Sequence, residues 1–206
     1  MNVWHQRFGP GMREAQVRMI KKLSELDMCR GFVPVETFFE SARRGHVTVV
    51  GVSREDEPFP NEDVDEVPWW ERVEAFCIFD DQGKPQIEDT MQTEDGSIVK
   101  WYFLKNGQRI SLSKETHAEI IIWCSKPNTR GSGRLAFERA LEIIAQTGKS
   151  VVLAQGVSDH KPNEKATQLY EHEYGFRRLQ STIPPDVLYR VYERGPITEK
   201  WSTRSQ

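Results

Sequence analysis

"NTRGSGRLAFERA", residues 128–140, places Gly131 and Gly133 one residue apart, flanks them with basic residues and runs straight into an apolar-periodic segment. A strand-like stretch, "HAEIIIWCS" (117–125), precedes the glycines. After them Phe137, Ala140, Leu141 and Ile144 fall on one face of a helix expected from about Ser132 to Thr147 and stopped by Gly148. Strand, glycine loop and helix together set unpaired amides and the positive end of a helix before an anion, often a phosphate. A tight strand-to-helix turn with no ligand has the same local sequence, so the loop needs its neighbours for a reading. Two phosphate loops are excluded on residues. No Gly-Lys-Ser/Thr follows the glycines, as a P-loop requires, and the dinucleotide fingerprint lacks its third glycine and the ribose-binding acid after the next strand.

Working outward, "SVVLAQGV" (150–157) reads as the next strand. "NEKATQLYEHEYG" (163–175) reads as a helix capped by Asn163 and stopped by Gly175, with Ala166, Leu169 and Tyr170 on one face. "FRRLQS" (176–181) and "DVLYRVYER" (186–194) close the chain as an antiparallel pair. Upstream, Met12, Ala15, Met19, Ile20, Leu23 and Leu26 stripe a helix over 11–27, and Val35, Phe38, Phe39 and Ala42 stripe a second over 34–45. "HVTVVGV" (46–52), "RVEAFCIFDD" (72–81) and "SIVKWYFL" (97–104) read as strands. Between the first two, residues 54–72 carry eight acidic residues and three prolines in nineteen positions. That segment is either a solvated loop or an acidic lid presenting Trp69 and Trp70 to a cationic substrate. Residues 86–97 form a second, polar insertion, and 1–206 reads as one domain.

The composition suits a soluble globular protein: 206 residues, 37% hydrophobic, 29% charged, net charge −3. A chain of this length buries roughly 70% of its unfolded surface and needs no staples. Weak net acidity gives no general drive toward nucleic acid or anionic membrane, and there are never 18 consecutive apolar residues. Cys29, Cys77 and Cys124 are odd in number and far apart, which argues against a zinc knuckle or a disulfide framework. Free thiols and a start without an uninterrupted apolar stretch point to a cytoplasmic protein.

The stretch from 116 to 176 resembles the GNAT superfamily of acyl-CoA-dependent N-acyltransferases. Residues 128–133, "NTRGSG", are similar to that family's Q/R-x-x-G-x-G/A loop, with Asn128 where Gln or Arg is usual, and Arg134 opens the helix. Asn163, Ala166, Leu169-Tyr170 and Gly175-Phe176 are similar to its second motif, with one residue more than usual between the tyrosine and the glycine. The resemblance implies an α/β (mixed α+β) fold with a mostly antiparallel sheet of six or seven strands and helices on both faces. The strands 117–124 and 150–157 are then expected to be parallel neighbours that splay at their C-terminal ends. It implies acetyl-CoA as cosubstrate, held by Asn128, Thr129, Arg130, Gly131, Ser132, Gly133 and Arg134, with Asn163 holding the pantetheine arm or capping its helix. Neither metal nor redox cofactor is implied.

The reaction implied is direct attack of a neutral amine on the thioester, with no acyl-enzyme, so Cys124 is not needed as a nucleophile. Tyr170 is placed by the resemblance beside the departing sulfur as the acid; a tyrosine packed in the core has the same sequence signature. Glu119 corresponds to the glutamate of the histone acetyltransferase branch that accepts the amine proton. Strand alternation groups Glu119, Ile121 and Trp123 on one face against Ile120, Ile122 and Cys124. On such a strand a desolvated carboxylate would serve as base, whereas a glutamate exposed at the strand's start would not. His117, Asp80 and His160 are reserve candidates. The partner is an amine-bearing acceptor, a small molecule or a protein; homo-oligomers are allowed, and neither membrane nor general nucleic-acid binding is expected. The alternative reading is a catalytically silent protein of the same fold serving in an assembly.

Overall fold

The computed structural model describes residues 1–8, 14–25, 36–54, 72–85, 87, 90–92, 95–158, 161–162, 164–182 and 189–196. The elements are β1 (Asn2–Arg7), α1 (Glu14–Glu25), α2 (Glu36–Arg43), β2 (Val47–Ser53), β3 (Val73–Asp80), β4 (Thr90–Gln92) and β5 (Ile98–Lys100). They continue through β6 (Phe103–Lys105), β7 (Gln108–Ile110), β8 (His117–Ser125), α3 (Ser132–Ala145), β9 (Ser150–Ser158) and β10 (Lys161–Pro162). α4 (Glu164–Gln168), β11 (Arg177–Arg178), β12 (Gln180–Ser181) and β13 (Tyr189–Arg194) complete the order. Seven strands lie side by side as β1-β2-β3-β8-β9-β13-β11, with β10 paired to β9 off that path. Every contact along the path is antiparallel except β8 with β9.

The central strands are covered on both faces, which is why β2 and β3 read as near-continuous apolar runs and are buried throughout. On one face α3 sets Ala136, Phe137, Ala140, Leu141 and Ile144 against Val50, Val52, Ala75, Cys77 and Phe79. On the other, Met19, Ile20 and Leu23 of α1 and Ala42 of α2 pack on Val47, Val49, Phe76 and Ile78. A small sheet, β12-β6-β7, joins Trp101, Phe103, Leu112 and Leu179 to Val152 and Val191. The helices therefore sit on both faces, as the resemblance implies.

Several local expectations are corrected. The N-terminal edge strand β1 was not foreseen; its Trp4 lies opposite Gly51, where any Cβ would stand 2.0 Å from the indole. "SIVKWYFL" is not one strand, because the chain leaves β5 at Lys100 and starts β6 at Phe103 in a different sheet, with Trp101 buried between them. The polar segment 86–97 supplies β4, which pairs with β5. "FRRLQS" is likewise divided: β11 pairs with β13, β12 with β6, and buried Leu179 separates them. Cys77 is buried and free, its thiol pushed up by desolvation, but Cys124 is disulfide-bonded, so the expectation of three free thiols is wrong. Among the described residues no helix is long and apolar enough to cross a membrane.

Candidate active site

β8 and β9 pair in parallel only from His117 with Ser150 to Ile120 with Leu153. Beyond that pair they share no register although both strands continue, so the sheet opens at its centre. β8 keeps its other neighbour, and along it a bulge intervenes: Ile78 lies opposite Ile122 but Phe79 opposite Ile120. Ile121 is thus the extra residue, paired across neither β3 nor β9.

The bulge overturns the expected alternation. Ile120 and Trp123 both face α3, while Ile122 and Cys124 pack on the opposite side. Glu119 stands opposite Asp80 on β3 and Val152 on β9. Val152 belongs to the cluster on the face away from α3, and residues directly opposite across strands share a face. Glu119 therefore does not share a face with Trp123. It is buried at 6% exposure, which excludes the exposed glutamate at the strand's start.

On that face the polar groups are tied together. Glu193 of β13 also pairs with Val152. It meets His117 Nε2 at 3.3 Å and accepts from Lys105 Nζ at 2.8 Å. The His117 hydrogen bond, then Lys105, holds the Glu193 carboxyl below the usual range against the opposing effect of burial. His117 Nδ1 lies 2.7 Å from Thr116 Oγ1, so this histidine is buried in a network. Asp80 Oδ1 accepts from the amides of Gln82 (2.9 Å) and Gly83 (2.6 Å), whereas its buried Oδ2 has no hydrogen-bond partner.

The face toward α3 is aromatic. Phe137 stacks 4.3 Å from Trp123 and 4.7 Å from Tyr174 between ring centroids, and Tyr170 lies 5.5 Å from Tyr192 and 5.9 Å from Trp123. Burial pushes the Tyr170 hydroxyl well above the ordinary phenol value, with Cys77 and Tyr192 adding to it. The group is a donor throughout the working pH range. Its helix is not α-helical to the end: α4 passes into a π turn, Leu169–Glu173, closed by the Tyr174 amide on the Leu169 carbonyl at 3.2 Å. A single inserted residue in an α-helix is absorbed in this way. The stretch from Tyr170 to Gly175, in which the resemblance counts one residue more than usual, overlaps that turn, and Tyr174 and Phe176 are buried.

The glycine loop lies where β8 ends. Asn128 (φ 65°) and Gly131 (φ 86°) adopt left-handed conformations, and Gly131 is the N-cap of α3 without a side-chain cap. α3 has no acidic residue of its own in its first turn and no side chain caps its leading amides, which can face an anion. A Cβ on Gly131 would meet nothing within 4 Å. Gly133 differs: a Cβ there would stand 3.0 Å from Ser125 Cβ, and its carbonyl accepts from Trp123 Nε1 at 2.7 Å. Gly133 brings the helix close to β8. Thr129 Oγ1 donates to the Lys126 carbonyl at 2.7 Å, within the loop. Ser132 is wholly buried and donates to Glu74 Oε2 at 2.7 Å, so only its amide remains for an anion. Arg134 is engaged by Glu138 (2.7 Å) and Glu173 (3.2 Å), while Arg130 is exposed. An uncapped helix end beside a basic side chain fits a diphosphate. Asn163, His160, Trp69, Trp70 and the acidic run 55–71 lie outside the described residues.

Solved structures share this fold. The NatC complex bound to Gag peptide and CoA aligns with TM-score 0.50 at 13% identity, covering 96% of this chain and 100% of that one. Naa50 of Arabidopsis thaliana, in complex with the bisubstrate analogue CoA-Ac-MVNAL, aligns with TM-score 0.51 at 11% identity over 95% and 99%. The chain has the GNAT fold. Ard1 of Thermoplasma volcanium gives the same result, with TM-score 0.50 and 12% identity over 96% and 99%. No family model and no curated protein matches the sequence. Within the GNAT fold the aromatic cluster around Tyr170, the Ile121 bulge and Glu74 had not been singled out from the sequence.

Proposed function

We propose that the chain is an N-acetyltransferase that moves the acetyl group of acetyl-CoA to a primary amine by direct attack. The observation that carries the reading is the parting of β8 from β9 after Ile120 and Leu153, with the uncapped end of α3 at the exit of β8. The exposed backbone of a splayed strand can pair with the amide-bearing arm of the cosubstrate as with an added strand. The leading amides of α3, from Ser132 to Arg134, would take the diphosphate, with Arg130 beside them. Bound acetyl-CoA supplies the activated acyl group.

The chain's own residues then divide the proton work. Glu119 takes the proton from the amine nitrogen as that nitrogen bonds to the acyl carbon. Tyr170 donates its proton to the sulfur as the carbon–sulfur bond breaks. The solved complexes with a peptide and with a CoA–peptide analogue support an amine carried on a peptide as the acceptor class.

Calorimetric titration with acetyl-CoA, using the wild type and Arg130→Glu, tests the reading. The exposed side chain changes charge without disturbing the core, and affinity is expected to fall at least tenfold, about 1.4 kcal/mol. Equal affinity in a folded variant would overturn the site. Binding without CoA release across a panel of amines would favour the catalytically silent protein.

A further inference from the structure

The glycine loop is held at both ends by one residue that no motif marks. At the start of β3 the register slips: Val52 lies opposite Ala75 and Ser53 opposite Val73, which makes Glu74 the bulged residue. A bulge re-aims the side chain it displaces. The main-chain carbonyl of Glu74 accepts from the Lys126 amide at 2.7 Å, where β8 gives way to the loop. Its carboxylate Oε2 accepts from Ser132 Oγ at 2.7 Å, where the loop gives way to α3. The other oxygen, Oε1, is bonded by Arg54 Nε. Glu74 and Ser132 are 5% and 0% exposed, so these bonds are made away from water, whereas the Arg54 side chain is 76% exposed. The Ser132 hydroxyl, then Arg54, holds the Glu74 carboxyl below the usual range.

An anion at a helix N-terminus would ordinarily compete with a phosphate for the amides. Glu74 does not take them: it reaches the helix through the Ser132 hydroxyl, and α3 has no side-chain cap of its own. Its charge is met by Arg54. We infer that Glu74 is a positioning residue for the cosubstrate: it clamps Lys126 and Ser132 so that the amides between and after them face the diphosphate before it arrives. This rests on the acetyl-CoA reading above. A preformed cradle binds more tightly than one that must be ordered on binding.

Three variants test it, with acetyl-CoA titrations, steady-state kinetics and hydrogen exchange over residues 126–134. Glu74→Ala removes the side-chain tether to Ser132 and leaves the main-chain bond to Lys126 in place. It should weaken acetyl-CoA binding about tenfold, raise KM with kcat at saturation changed less than twofold, and speed exchange in the loop even without cosubstrate. Ser132→Ala should do the same through the smaller change, and the double variant should be no worse than Glu74→Ala, since the Ser132–Glu74 bond is already broken in that variant. Glu74→Gln keeps an oxygen for Ser132, and it should bind at least as tightly as the wild type because the Arg54 charge is then uncompensated. Equal affinity of Glu74→Ala and Glu74→Gln in folded chains, or additive losses in the double variant, would overturn the clamp. Absence of acetyl-CoA binding in the wild type would instead overturn the reading beneath it, and the exchange measurement would still report on the loop.

Discussion

The two faces of the sheet where β8 and β9 run paired and then part are built from opposite materials. Toward α3 lie Trp123, Phe137, Tyr170, Tyr174, Phe176 and Tyr192, rings on rings. On the other face the same strands present Asp80, His117, Glu119 and Glu193, with Lys105 reaching in from β6. The Ile121 bulge is what divides them, since it turns Trp123 to the aromatic side while Glu119 stays on the charged one. A departing sulfur is best met by a neutral hydroxyl in an apolar wall, and an amine losing a proton is best met by a carboxylate. The proposed chemistry uses one from each face.

The sharpest way to break this division is Tyr170→Phe. The loss of an acid costs 10²- to 10⁴-fold, so kcat should fall by that amount while the Kd for acetyl-CoA, measured by titration, stays within about twofold. A variant with wild-type turnover would remove Tyr170 from the reaction. Next, Phe137→Ala should cost about 3–5 kcal/mol by denaturant unfolding, because the ring is fully buried against Trp123 and Tyr174 and leaves a cavity. On the charged face Glu119→Gln should lower the rate about 10²-fold at neutral pH. Part of that loss should be recovered at high pH, where free amine is abundant; a flat pH profile would deny it the role of base.

The smallest effect separates the faces by stability. Glu193→Gln should cost about 1–2 kcal/mol at pH 7 by removing the charge from bonds to His117 and Lys105. The folded carboxyl titrates below its unfolded value near 4.3. Its contribution is therefore whole above that value and is lost as pH falls through the folded one. Urea midpoints from pH 6 to pH 3 should accordingly fall less steeply in the variant, whereas Phe137→Ala should shift the curve at every pH alike.

The sequence made one of these faces more legible than the other. α3 and its approach were plain because the period of 3.6, the glycines and the strand before them agree, and Tyr170 sat in a recognisable motif. The surplus residue before Gly175 is visible too, in the stretch where the π turn lies. The bulge at Ile121 was not, because three consecutive isoleucines read the same whichever one is squeezed out. β1 escaped because its half-buried positions, Asn2, Trp4 and Gln6, carry no apolar alternation. Glu74 escaped because its partners, Arg54, Lys126 and Ser132, come together only through a slip in register.

Hydrogen exchange at Ser132, Gly133 and Arg134, followed with and without saturating acetyl-CoA, tests the central claim most directly. These amides open α3 and have no carbonyl of their own helix to bond, so in the free chain they should exchange faster than the amides of the next turn and become protected when acetyl-CoA is added. Protection of that turn is the predicted result. Acetyl-CoA binding that leaves those three amides unchanged would contradict the account, because the cosubstrate would then be held somewhere else.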